Sequence, residues 1–161
     1  MNEKGIKKIE KIVVNAGIGR LSSQPNFDKV LPAIVKDFSA ITGQKPAFRE
    51  AKKSVSGFKL REGTTVGLTA TLRGSRMAYF LEKFCKVVLP RIRDFRGIDK
   101  KSVDERGNLS VGVKENVVFP EINPDISRLD FGLQITVVPK LSEGRERAIE
   151  LYKEIGIPFK K

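Results

Sequence analysis

The chain has 161 residues with 31 Lys+Arg against 19 Asp+Glu, a formal net charge of +12. That allows one domain with a real core and asks for a polyanionic partner, either nucleic acid or an anionic membrane surface. The absence of histidine and the single cysteine remove Ser-His-Asp triads, Cys-His dyads, His-ligated metals, CxxC sites and internal disulfides.

Lys8 to Asn15 reads as a strand, with β-branched Ile9, Ile12, Val13 and Val14, ended by Gly17-Ile18-Gly19. The spacing of Phe27, Val30, Leu31, Ile34, Val35, Phe38 and Ile41 predicts a helix over about 26–42, with Gly43 just past its end. Pro32 belongs in its first turn or kinks it. Pro46 to Ala51 is a short strand, and 52–64 is a long exposed basic loop. Thr65 to Arg73 is the clearest strand: Val66, Leu68, Ala70 and Leu72 face a core. Thr65, Gly67, Thr69, Thr71 and Arg73 form the other face, read either as a place where a nucleic-acid backbone comes close or as an ordinary solvated sheet face.

Ser75 is the expected N-cap of a helix over about 76–88, with Met77, Phe80, Leu81, Phe84, Val87 and Val88 as its stripe and Pro90 as its stop. Cys85 in that stretch reads as a buried thiol in a reducing compartment. Residues 91–108 read as a basic loop, Leu109, Val111 and Val113 as a strand, and 119–130 as irregular. Phe131, Leu133, Ile135 and Val137 alternate as a strand. Ser142 caps a final helix with Ala148, Leu151, Tyr152 and Ile155, ended by Gly156 and Pro158. Strands and helices mix without regular βα alternation, so the expected class is α+β: one domain over 1–161 with a largely antiparallel sheet of about five strands. No stretch approaches the roughly 18 apolar residues of a membrane span. Met1-Asn2-Glu3-Lys4-Gly5 has no apolar signal core, so a cytoplasm or an equivalent compartment is expected.

Residues 45–101 hold 15 basic and 5 acidic side chains, so ten of the twelve net charges lie in the middle of the chain. Lys45, Arg49, Lys52, Lys53, Lys59 and Arg61 form one cluster; Arg91, Arg93, Arg96, Lys100 and Lys101 form another. Both sit among loop formers, as expected of a polyanion-binding surface. Phe58 and Phe95 stand inside them. Each either stacks on an unpaired base or anchors its loop to the core.

Catalytic chemistry does not assemble. Gly17-Ile18-Gly19 begins like a dinucleotide fingerprint, but Ser22 stands where the third glycine belongs and no acidic residue follows on a second strand. It reads as a turn that lets a backbone come close. Asp104, Glu105, Asp125 and Asp130 read as solvated loop charges. No nucleophile, base and oxyanion donors converge, so neither an enzyme nor a cofactor is expected. A membrane-surface protein would need helix 76–88 to offer more than core residues beside Lys83 and Lys86. An RNA-modifying enzyme would have to work with carboxylates alone.

One set of ordered motifs is more specific. Lys8-Ile9-Glu10-Lys11-Ile12-Val13-Val14-Asn15 is followed by Thr42-Gly43-Gln44-Lys45-Pro46 and by Ala51-Lys52-Lys53-Ser54-Val55-Ser56-Gly57-Phe58-Lys59-Leu60-Arg61-Glu62-Gly63. Then come Thr71-Leu72-Arg73-Gly74, Leu89-Pro90-Arg91-Ile92-Arg93-Asp94-Phe95-Arg96-Gly97 and Phe119-Pro120-Glu121-Ile122. Across nearly the whole chain, to Gly156-Ile157-Pro158-Phe159, this resembles the bacterial-type large-subunit ribosomal protein five family, whose members bind 5S rRNA in the central protuberance.

The resemblance implies a sheet with helices on one face and the other open for RNA, and no catalysis. It implies 5S rRNA contacts at Asn15, Gln44, Phe58 and Thr71, with Lys11 and Arg73 in the same set. It implies a loop, Lys52, Lys53, Ser54, Val55, Ser56 and Gly57, that reaches P-site tRNA. Arg91, Arg93 and Arg96 lie where the family meets small-subunit ribosomal protein thirteen across an intersubunit bridge, or else bind large-subunit rRNA. Two departures stand out: the family's helix ahead of the first strand has no counterpart, and 19–42 is a few residues longer than usual. The implied location is the ribosome, cytoplasmic or organellar, and not a membrane.

Overall fold

A computed structural model of the chain describes residues 3–22, 26–124, 129–141 and 144–160. The cap read at Ser142 and the carboxylate of Asp125 lie outside them. Five strands, β1 (Ile9–Gly17), β2 (Ala47–Glu50), β3 (Thr65–Leu72), β4 (Leu109–Val113) and β5 (Leu133–Pro139), form one sheet in the order β2-β3-β1-β5-β4. The class is α+β and the sheet antiparallel, as the mixed element order predicts. Period-two alternation buries one face of each longer strand: Ile12, Val14 and Ala16 in β1, Leu68, Ala70 and Leu72 in β3, and Leu133, Ile135 and Val137 in β5.

The chain folds as two compact units whose boundaries fall inside β1, β3 and β5. The first comprises residues 1–13, 71–113 and 134–161; the second comprises 14–70 and 114–133.

In the second unit, helix Phe27–Thr42 turns Phe27, Ile34, Phe38 and Ile41 inward at helical spacing. Gly43 ends it at φ 66° and donates its N–H to the Ser39 carbonyl at 2.8 Å. Pro32 lies inside this helix, one turn beyond the position expected of it. Its missing N–H costs the Asp28 carbonyl a donor on the exposed face, while the buried stripe runs through the whole helix.

In the first unit, helix Gly74–Lys83 starts two residues earlier than predicted. Extended Arg73 occupies the cap position and makes no side-chain cap bond, so Ser75 lies within the first turn. The helix passes into a π turn, Phe84–Val88, and a short helical turn, Leu89–Arg91. Pro90 therefore does not stop the rod. It sits in the first turn of that last segment, where no N–H is required. The wider π turn also leaves Val87 and Cys85 half-buried while Phe84 and Val88 face the core.

The stretch 91–108 is more ordered than a loop. It holds a 3-10 turn at Lys100–Ser102, capped by Asp99 Oδ1 accepting from the Lys101 N–H at 2.9 Å, and it buries Ile98 and Val103. Helix Arg145–Ile155 buries Ala148, Tyr152 and Ile155 and ends at Gly156, φ 103°. Among the described residues no helix is long and apolar enough to cross a membrane.

Candidate nucleic-acid interface

In the second unit the antiparallel pair β2–β3 continues into a hydrogen-bonded hairpin. The Ala51 N–H donates to the Thr64 carbonyl at 2.9 Å, and the Gly63 N–H donates to the Ala51 carbonyl at 3.0 Å. Val55 and Leu60 exchange both backbone bonds, at 2.9 and 3.1 Å. Ser54 Oγ accepts from the Glu62 N–H at 2.9 Å. A 3-10 turn, Ser56–Phe58, and left-handed Lys59 at φ 51° close the tip. The expected loop is thus a preorganised projection rather than a slack connection. Every residue from Lys52 to Lys59 is exposed.

Phe58 is 78% exposed, so it does not anchor the loop. Its ring stands in water on a hairpin that also carries Lys52, Lys53, Lys59 and Arg61, a costly placement that a stacking partner would relieve. Phe95 differs: it is half-buried and packs its loop at least in part.

The same unit holds a polar relay. Arg49 Nε donates to Thr69 Oγ1 at 3.3 Å, and Thr69 Oγ1 donates to Asn15 Oδ1 at 2.7 Å. This orients the Asn15 amide and leaves its two N–H donors for another acceptor. Thr69 is only 8% exposed, so this hydroxyl of the polar β3 face supports the site instead of presenting itself. Gly67 makes the approach possible. A Cβ there would lie 3.2 Å from the Ala16 carbonyl and 3.6 Å from Arg49 Cβ. The sequence places Arg49 in the basic cluster and Thr69 on the polar strand face but does not connect either to Asn15; Gly67 inside the strand is the available signal, since it marks close backbone approach. Gln44 is half-buried just past the helix, where its carbonyl lies 2.9 Å from Thr42 Oγ1.

In the first unit, Lys11 and Arg73 meet on one carboxylate. Arg73 Nη1 lies 3.1 Å and Lys11 Nζ 3.4 Å from Glu10 Oε1. Arg73 first, then Lys11, holds the Glu10 carboxyl below its ordinary range. Two cations on one anion leave a single net charge, so this corner offers less to a phosphate than its two basic residues suggest. Thr71 is half-buried on the polar face of β3. On β4 and β5, Ser110 Oγ and Thr136 Oγ1 lie 3.2 Å apart, beside exposed Gln134.

The second basic cluster is a loop with all three arginines, Arg91, Arg93 and Arg96, exposed. Its base is clamped by the C-terminal segment: the Ile98 N–H donates to the Pro158 carbonyl at 2.8 Å, and the Lys160 N–H to the Ile98 carbonyl at 2.9 Å. Gly97, φ 98°, fits where a Cβ would lie 2.8 Å from Lys160 N and Phe159 C.

Residues 2–61 match the family model of ribosomal protein L5, and residues 65–159 match the model of the C-terminus of the same ribosomal family. A protein of Halothermothrix orenii, "Large ribosomal subunit protein uL5", is 48% identical over 158 residues, covering 98% of this chain and 86% of that protein. Proteins of the same name from Carboxydothermus hydrogenoformans and Acholeplasma laidlawii are 47% and 49% identical, over 98% and 97% of this chain and 86% and 84% of theirs. An exposed basic hairpin with an aromatic at its tip, a polar strand face and this similarity along the whole chain agree: the protein belongs to the ribosomal protein L5 family.

Proposed function

We propose that the chain is a non-catalytic structural constituent of the large ribosomal subunit, working in the ribosome by binding rRNA. In this reading 5S rRNA lies against Asn15, Gln44, Thr71, Lys11 and Arg73, and Phe58 stacks on one of its bases. Lys52 and Lys53 contact the phosphates of P-site tRNA, with Ser54 to Gly57 shaping that approach. Arg91, Arg93 and Arg96 serve the contact with small-subunit ribosomal protein thirteen or with large-subunit rRNA. The location is a cytoplasmic or organellar ribosome.

The observation that carries the reading is the 78% exposed Phe58 at the tip of a hydrogen-bonded hairpin that carries four basic residues. Preorganised aromatics next to cations suit unpaired bases, which RNA presents and duplex DNA hides. The test is 5S rRNA binding across a salt series, with a random RNA of equal length alongside. Preference for 5S rRNA and a log-linear fall in affinity with salt are expected. A flat salt dependence, or equal binding of the random RNA, refutes the reading.

A further inference from the structure

The first unit carries a surface that the RNA-binding residues do not use. Two clefts lie on either side of a ridge made by Lys7 and Lys140, which line both. The ridge is firm. The Lys140 N–H donates to the Lys8 carbonyl at 2.8 Å, and the Lys8 N–H to the Gly5 carbonyl at 3.0 Å. Gly5 lies so close to helix Arg145–Ile155 that a Cβ there would sit 2.8 Å from Ile155 Cγ1. The larger cleft, about 680 Å³, has apolar walls of Ile6, Ile9, Met77 and Ala78, and Tyr79 beside them is 73% exposed. The other, about 570 Å³, is walled by Pro139, Ala148 and Leu151, with Leu141 70% exposed. Both volumes fall in the range of built ligand sites. Tyr79 and Leu141 are also two of the most exposed large apolar side chains among the described residues.

The charges have a pattern. Lys7, Lys8 and Lys140 make no ion pair among the described residues. Glu10 and Glu82 at the larger cleft are already engaged, Glu10 by Arg73 and Lys11 and Glu82 by Lys86. Glu150 and Glu154 flank the smaller cleft on the helix side. Lys7, Lys8 and Lys140 are thus the cations of the central ridge; Arg147 stands with Glu150 and Glu154 at the smaller cleft, and Glu10 and Glu82 at the larger one are matched by their own cations. The apolar walls and the exposed Tyr79 and Leu141 offer burial to apolar side chains, which a protein segment carries and a sugar-phosphate strand does not.

We propose that this surface docks a linear protein segment in which a short run of Asp and Glu, seated on Lys7, Lys8 and Lys140, is flanked by apolar side chains that enter the two clefts. Charge complementarity chooses the register and the apolar anchors supply the affinity.

The test uses the full chain and a fluorescein-labelled peptide with a Glu-Asp-Glu run between two leucines, beside its Gln-Asn-Gln counterpart and a single-stranded RNA. Fluorescence anisotropy should show the acidic peptide binding at least about tenfold tighter than the neutral one. Lys7→Glu, Lys140→Glu and Tyr79→Ser should each weaken it about tenfold, while Lys52→Glu should not. All four substitutions are at exposed positions, and circular dichroism checks that each variant folds. Backbone amide NMR should place the shifts at Lys7, Met77, Tyr79 and Lys140. Equal binding of the neutral peptide, shifts centred on residues 52–61, or displacement of the peptide from these residues by the RNA would each overturn the proposal.

Discussion

Phe58→Ala separates a stacking residue from a packing one. With 78% of Phe58 exposed, about a fifth of its surface is covered. For a side chain that buries roughly 150–250 Å² when enclosed, that is some 40 Å², or about 1 kcal/mol at 25 cal/mol per Å². A core phenylalanine such as Phe38 or Phe84, both fully buried, would cost about 3–5 kcal/mol on the same change. Base stacking contributes about 1–3 kcal/mol, so 5S rRNA affinity should fall about 5- to 150-fold. Urea denaturation and filter binding on the same preparation measure both. Because phenylalanine carries no charge, the slope of log affinity against log salt should stay unchanged. Destabilisation by about 3 kcal/mol or more would show that Phe58 anchors the hairpin. Wild-type affinity would show that it touches no base.

Lys52→Ala with Lys53→Ala should leave thermal stability within about 0.5 kcal/mol, since both side chains are exposed. The salt slope for tRNA binding should become shallower by about 0.7–0.9 per lost phosphate contact; an unchanged slope would remove these lysines from the interface. Thr69→Val keeps the side-chain shape but breaks the Arg49–Thr69–Asn15 relay. It should cost about 1 kcal/mol in urea denaturation and weaken 5S rRNA binding as Asn15→Ala does; binding at wild-type strength would show that the relay does not orient Asn15. Gly97→Ala, at φ 98° and against the Phe159–Lys160 backbone, should cost at least about 1–3 kcal/mol, with protease cleavage appearing first in 91–97; unchanged stability would mean that the C-terminal clamp is loose. Burial pushes the Cys85 thiol up to about 12, so its thiolate is scarce at neutral pH and thiol reagents should label the folded chain far more slowly than the urea-unfolded one. The unfolded thiol ionises first, so this group's contribution to stability is complete below about pH 9 and is lost as pH rises toward 12; a denaturation midpoint indifferent to pH across that window would contradict the burial.

The sequence by itself determined what depends on local period and composition. Alternation at Val66, Leu68, Ala70 and Leu72 and at Leu133, Ile135 and Val137 marks strands, because side chains on a pleat repeat every two residues. Phe27 to Ile41 marks a helix, with Gly43 as its left-handed stop. The charge arithmetic located the basic middle, and the ordered motifs identified the family. Where the local rules misplaced a boundary, a neighbouring backbone arrangement prevailed: a π turn carries the 74–83 helix on to Pro90, and extended Arg73 displaces Ser75 as cap. Tertiary structure alone decided which polar groups meet. Thr69 reaches Asn15 across 54 positions, and Arg73 reaches Glu10 across 63; such pairs depend on strand order and register, which no local period encodes. It also decided exposure. Phe58 and Phe95 share a residue type and a basic loop context, yet one stands in solvent and the other is half-covered, because burial belongs to the packed neighbours and not to the side chain itself. The +12 charge is a property of composition; its division into an open basic hairpin, a corner where Glu10 offsets one of two cations and a lysine ridge between two apolar clefts is a property of the fold.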